Sequence, residues 1–209
     1  LLSRREQELM TKDATIREIH HRVKNNLQTV SALLRLQSRR SSEEAVKVAL
    51  AEAERRVQAI ATVHAALSQN VDESVDFDEV ARTIVRMAGA IASTDHAVEV
   101  ITTGSFGTIQ ADQAQALATV LNELVANSVE HGLADRDGLI EVRAEREGTS
   151  MTVTVADDGV GFVPGTPMSG LGTQIVHQMV RGELKGSIEW APREGGGTLV
   201  TLHANLDPA

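Results

Sequence analysis

Two adjacent histidines, His20 and His21, sit in a stretch that contains neither glycine nor proline. Turned through about 100° per residue, Ile16, Val23, Leu27, Val30 and Leu34 centre one apolar helix face. His20 falls at the edge of that face and His21 nearly opposite it, towards solvent. Asn25 and Gln28 follow on the His21 side, and Glu18 precedes on it, at the spacings that touch on a helix. An imidazole that takes up a phosphoryl group must be reachable by whatever carries that group. It must also be neutral, which an ordinary pKa of about 6.5 permits. A carboxylate nearby orients the ring or takes its proton, and Glu18 is the nearest on the wheel. Ordinary solvated histidines satisfy the same wheel position, so spacing alone leaves both readings open.

Four later segments carry residue types suited to holding a nucleotide. In LNELVANSVEHGL, residues 121–133, Glu123, Asn127 and His131 recur every four residues on one helix face. The oxygens of Glu123 and Asn127 suit Mg²⁺, which takes few protein ligands beside phosphate oxygens. A solvated polar face gives the same pattern. In MTVTVADDGVGF, residues 151–162, Asp157 shares the parity of Val153 and Val155 and so points inward at a strand end. A buried carboxylate there needs a partner, such as an adenine amino group. Gly159 and Gly161 then permit a tight turn, although Asp-Gly is common in ordinary turns. In SGLGTQIVHQMV, residues 169–180, Gly170, Leu171 and Gly172 open a helix whose free N–H groups suit a phosphate. In GGGTLVTL, residues 195–202, Thr198 can turn a hydroxyl towards the same place.

These groups need elements to hold them. Leu2, Leu9, Ile16, Val23 and Val30 lie seven apart, with Ile19, Leu27 and Leu34 beside them, which predicts one long helix. A break near Ser41 and Ser42 precedes Glu43 and Glu44, and Val46, Ala53, Ile60 and Leu67 continue at spacing seven with Leu50 and Val57 between. The expectation is an antiparallel hairpin over residues 1–70 that pairs with a second copy into a dimeric four-helix bundle. A short polar linker, Ser68–Asp76, follows. Residues 71–209 read as an α+β sandwich, a mostly antiparallel sheet with helices on one face. Helices are expected over Phe77 to Ile91, Asp112 to His131 and Thr173 to Val180. Strands are expected over Ala97 to Thr103, Ile140 to Glu145, Met151 to Ala156, Ser187 to Trp190 and Thr198 to His203. All 16 glycines lie beyond residue 72, where loops and close approaches are needed.

Composition excludes several classes. The net charge of −9 with no long basic run disfavours direct nucleic-acid binding. The chain has no cysteine, which removes disulfides, thiolate metal sites and a cysteine nucleophile, and suits a cytoplasmic setting. Aromatics are 2% of residues, so the core must be aliphatic. No apolar run approaches the roughly 20 residues that span a bilayer. The chain begins at Leu1 inside a helical pattern, which reads as a fragment of a longer protein.

The string REIHHRVKNNLQTVSALLRLQ, residues 17–37, closely resembles the phosphoacceptor helix of the HisKA-2 class of histidine kinases. There the phosphorylated histidine precedes Arg, which implies His21, followed here by Arg22, Lys24, Asn25 and Asn26. The four later segments, in this order, resemble the nucleotide boxes of the GHKL (Bergerat) ATPase fold shared with gyrase-type ATPases and ATP-dependent chaperones. The resemblance implies Asn127 as the Mg²⁺ ligand, Asp157 as the adenine-reading acid, and Glu123 assisting at the metal or placing a proton acceptor. Gly159, Gly161, Gly170, Leu171 and Gly172 would shape the nucleotide loops, with Thr198 near Asp157. It covers nearly the whole chain and is similar in wording to soluble actinobacterial sensor kinases, whose GAF and PAS sensing domains would join at Leu1. It implies ATP-dependent autophosphorylation, transfer to an aspartate of a response regulator, and homodimerisation through the hairpin. Two departures stand out: Glu130 replaces a Lys common in such kinases, and the lid between the glycine boxes, Phe162 to Ser169, is short. A catalytically silent ATP-binding scaffold would share the second half but would not need the histidine helix. ATP-driven chaperones and topology enzymes would need long downstream domains.

Overall fold

The computed structural model describes residues 3–70, 72–90, 96–166 and 170–208. Leu2 of the heptad row, Ile91 at the expected helix end and the last lid residues, 167–169, lie outside them.

Helix α1 (Arg4–Arg40) starts at a reciprocal cap, in which Ser3 N–H donates to the Glu6 carboxylate at 2.6 Å and Glu6 N–H to Ser3 Oγ at 3.4 Å. Its 37 residues extend for about 55 Å. It stops where Ser41 turns extended, and α2 (Glu44–Leu67) returns antiparallel. Polar ties across the hairpin set the register. Gln58 Nε2 donates to Ser31 Oγ at 2.8 Å, Ser31 Oγ donates to Glu54 at 3.2 Å, and Arg35 pairs with the same carboxylate. Only part of the α1 stripe is covered by α2. Ile16 and Val23 are half-buried, whereas Leu9 and Val30 face solvent.

The second half begins with strand β1 (Ser74–Asp76), inside the stretch read as linker. It pairs antiparallel with β3 (Thr108–Gln110) in a small two-stranded sheet that sequence periodicity did not reveal. Helix α3 (Phe77–Gly89) buries Phe77, Val80, Ala81, Ile84, Val85 and Ala88 at helical spacing. The main sheet contains β2 (Val98–Gly104), β4 (Gly138–Glu147), β5 (Ser150–Asp157), β6 (Ser187–Pro192) and β7 (Thr198–Asn205) in the order β2-β4-β5-β7-β6. The β2–β4 pair is parallel and the rest are antiparallel. Helices α3, α4 (Ala111–Asn127) and α5 (Leu171–Arg181) contribute with the inward residues of the sheet to one continuous core, aliphatic as expected except for the buried pair Phe77 and Phe106.

Helix α4 also packs against α2 and is buried almost throughout from Gln113 to Ala126. The helix expected to run to His131 instead widens at its end. Ser128–Gly132 form a π-helical turn, closed by Leu133 N–H to Ser128 carbonyl at 2.8 Å. Such turns re-aim side chains, often at functional sites.

Candidate nucleotide site

The end of α4, the π turn, the end of β5, the start of α5 and the start of β7 enclose a cavity of about 510 Å³. Glu123, Asn127, His131, Asp157, Gly161, Gly170, Leu171, Gly172 and Thr198 all line it. Residues from four separate sequence segments therefore converge on one site.

Asp157 is 2% exposed, as its parity with Val153 and Val155 requires, while Asp158 turns outward and accepts from Leu139 N–H at 2.8 Å. Asp157 Oδ1 accepts from Gly159 N–H at 2.9 Å and from Thr198 N–H at 3.3 Å. Thr198 thus reaches the acid through its backbone, where its hydroxyl had been expected. Those bonds engage one carboxylate oxygen and leave the other for a donor in the cavity. Gly159 is dictated by a close approach, since a Cβ there would lie 2.0 Å from Gly132 carbonyl oxygen. Gly172 is also close-set, its Cβ falling 2.5 Å from Glu123 Oε2, although there the neighbour is a side-chain tip and not backbone. The glycine that opens α5 therefore rests directly against the carboxylate of α4.

Glu123 is 3% exposed and needs a cation. Arg56 of α2 supplies one, with Nε 2.6 Å and Nη2 3.2 Å from the two carboxylate oxygens. This hydrogen bonding, with the charges of Glu123 and Glu52, pushes the Arg56 pKa above the usual guanidinium value against the opposing effect of burial. Arg55 pairs with Glu130 of the π turn at 3.2 Å. Glu52, Arg55 and Arg56 form the hairpin's wall of the cavity. Sequence reasoning missed all three, because on the helix alone they read as a solvated charged strip.

On the hairpin, His21 is exposed and His20 half-buried. His20 Nδ1 lies 3.0 Å from Nδ1 of His64 on α2, a contact not foreseen from the sequence. Burial, then the neighbouring His20, holds the His64 pKa below its ordinary value against the opposing effect of a hydrogen bond to Gln115. Glu18, expected beside His21, instead accepts from Arg22 Nε at 2.8 Å, and that bond lowers its pKa. The side chain that meets His21 is Asn25, whose Nδ2 lies 3.4 Å from Nδ1.

With this geometry established, comparison with known proteins agrees across the chain. A family model described as "Histidine kinase" (HisKA_2) matches residues 18–91. One described as "Histidine kinase-, DNA gyrase B-, and HSP90-like ATPase" matches residues 112–208. The chain belongs to the histidine kinases. It is 46% identical over 210 residues to Sensor histidine kinase PdtaS of Mycolicibacterium smegmatis, covering 98% of this chain and 42% of that protein. It is 46% identical over 206 residues to PdtaS of Mycobacterium tuberculosis, covering 96% of this chain and 41% of the relative. The chain thus spans about two fifths of the length of these relatives. The histidine kinase domain of the Erythrobacter litoralis EL346 blue-light activated histidine kinase shares the fold, with a TM-score of 0.60 at 23% identity over 96% of this chain and 94% of that one. Among the described residues no helix is long and apolar enough to cross a membrane.

The second half of this histidine kinase is therefore an ATP-binding module, and its cavity fits a nucleotide with an associated cation. Asn127 offers a carboxamide oxygen to such a cation, and Glu123, held by Arg56, stands on the same wall. Among the described residues no cluster of three acidic or histidine side chains could hold a metal ion unaided.

Proposed function

We propose that this chain is the catalytic core of a two-component sensor kinase, residues 1–70 carrying the phosphoacceptor and residues 71–209 the ATP site, and that His21 is the residue phosphorylated. The observation that carries the reading is one chain holding both a solvent-facing imidazole on a helical hairpin and a cavity walled by Glu123, Asn127 and Asp157. Asp157 accepts the adenine amino group on its free oxygen. Asn127, assisted by Glu123, holds Mg²⁺ against the phosphates, where the ion neutralises charge. The open turn of α5 at Gly170–Gly172 takes phosphate oxygens on its N–H groups.

In the transfer step the lone pair of a neutral His21 nitrogen attacks the γ-phosphorus. The N–P bond forms as the bond to the β–γ bridging oxygen breaks, ADP leaves, and the ring proton passes to solvent. Asn25 occupies the Nδ1 side of the exposed His21 ring and leaves the Nε2 side open to an incoming phosphoryl group. Positioning and charge neutralisation supply most of the catalysis. The nucleotide cavity lies beside Arg55 and Arg56, whereas His20, next to the acceptor, meets His64 eight residues along α2 from Arg56, about 12 Å away. The module therefore shifts along the hairpin before transfer. The phosphoryl group then passes to a response-regulator aspartate docked near Asn25 and Gln28.

Homodimerisation is supported by the uncovered apolar side chains of the hairpin, among them Leu9, Ile19, Val30, Leu33 and Val48. The test is incubation with Mg²⁺ and γ-labelled ATP. Acid-labile label retained by His20→Gln and lost in His21→Gln establishes the reading; label retained by His21→Gln overturns the site.

A further inference from the structure

The nucleotide cavity is short of positive charge on its own side. Glu123, Glu130 and Asp157 line it from the ATP module, and among the described residues its only lysine or arginine side chains come from α2. A triphosphate entering a wall of three carboxylates meets repulsion, and the partly enclosed site screens it less than bulk water does. Arg56 is already committed, giving both Nε and Nη2 to Glu123. Arg55 is not. One terminal nitrogen lies 3.2 Å from Glu130, and its Nε–H is buried without an acceptor among the described residues. A guanidinium offers five donors in a planar fork that matches phosphate oxygens. Arg56, the neighbour of Arg55 on α2, borders the glycine turn of α5, since a Cβ on Gly172 would lie 3.6 Å from its Nη2, and Arg55 lines the same cavity. Gly170 and Gly172 there leave the first N–H groups of α5 uncapped by any side chain.

We propose that Arg55 is a phosphate-binding residue of the nucleotide site, so that the ATP pocket is composite and the second hairpin helix reads the phosphate tail. Glu130 holds the side chain in place, and the remaining terminal N–H groups are the donors a nucleotide satisfies. Nucleotide binding then clasps the ATP module to α2, and the phosphate chain senses whether the two halves are docked. This rests on the reading of the cavity as a nucleotide site.

Calorimetric titration of the chain with Mg-ATP and with adenosine tests it, using wild type, Arg55→Ala and Arg55→Lys. Losing one or two charge-assisted hydrogen bonds predicts that Arg55→Ala binds Mg-ATP about ten- to hundredfold more weakly, binds adenosine as wild type does, and is partly restored by Arg55→Lys. Unchanged or tighter Mg-ATP binding in Arg55→Ala overturns the proposal, and so does an equal loss for adenosine, which would make the residue structural. Failure of the wild type to bind either ligand sinks the nucleotide-site reading itself, whereas indifference to Arg55 alone sinks only this inference.

Discussion

Replacing Arg56 with Met removes the cation from a carboxylate that is 3% exposed. The variant loses hydrogen bonds of 2.6 and 3.2 Å and leaves Glu123 facing the glycine turn of α5 with no compensating charge. Breaking a buried pair from one side costs about 3–5 kcal/mol. Two charge-assisted hydrogen bonds give a similar figure, about 3–6 kcal/mol. The upper end is not reached, because α2 can separate from α4 and let water onto Glu123. The expected loss is therefore about 3 kcal/mol, a large share of the roughly 5–15 kcal/mol that holds a typical domain folded. Glu123→Met alone leaves Arg56 with Glu52 as its remaining charged partner, at 3.6 Å, and costs less. The double variant, with two apolar side chains of fitting length, recovers most of the loss. The cycle returns a coupling energy of about 2–3 kcal/mol. Urea unfolding read by far-UV circular dichroism weights the helices, and Trp190 fluorescence reports the ATP module, so coincident transitions also check that the chain unfolds as one unit. A coupling energy under about 0.5 kcal/mol would refute the docking of α2 on α4 through this pair.

Asp157→Asn keeps an oxygen for the Gly159 and Thr198 N–H groups but turns an NH₂ towards the cavity. It should weaken adenine nucleotides about tenfold or more while costing the fold under about 1 kcal/mol, measured by displacement of a fluorescent ATP analogue and by thermal melting. Gly159→Ala places a Cβ 2.0 Å from a backbone oxygen and should destabilise by about 3 kcal/mol or more. Gly148→Ala, at φ +60° with open space around it, should cost about 1 kcal/mol, and similar losses for the two would contradict the close approach. Because the folded His64 pKa is depressed, the unfolded chain binds the extra proton first as pH falls from about 6.5. Stability from this group is complete above that value and is lost as pH drops towards the folded pKa. Denaturation midpoints at pH 7.5 and 5.5 should converge in His64→Gln relative to wild type.

Much of the architecture was legible because each element is periodic over enough residues to average out exceptions. The seven-residue rows marked α1 and α2, and the alternation of β5 set Asp157 inward with Val153 and Val155. Beginnings and ends were less so. Strands β1 and β3 have three residues each and exist only because they meet one another, so neither shows a period. The π turn at Ser128–Gly132 was invisible because its letters are those of a helix. Its widening accompanies the tight approach of Gly132 to Asp157, where a Cβ would lie 2.9 Å from the carboxylate.

The sequence by itself determined the kinds of chemistry available: an imidazole on the solvent side of a helix, a buried acid at a strand end, and glycines where backbone meets ligand. These follow from local geometry, in which a residue's face is set by its spacing from its neighbours. Only the tertiary structure decided which charges meet. Arg56 and Glu123 stand 67 positions apart on two helices, each with a credible solvent-facing reading of its own. Their pairing depends on how the ATP module docks on the hairpin, a matter of surface shape and desolvation that no periodicity encodes. The same docking brings Arg55 to the cavity, so the links between the two halves of this histidine kinase come from the folded chain alone.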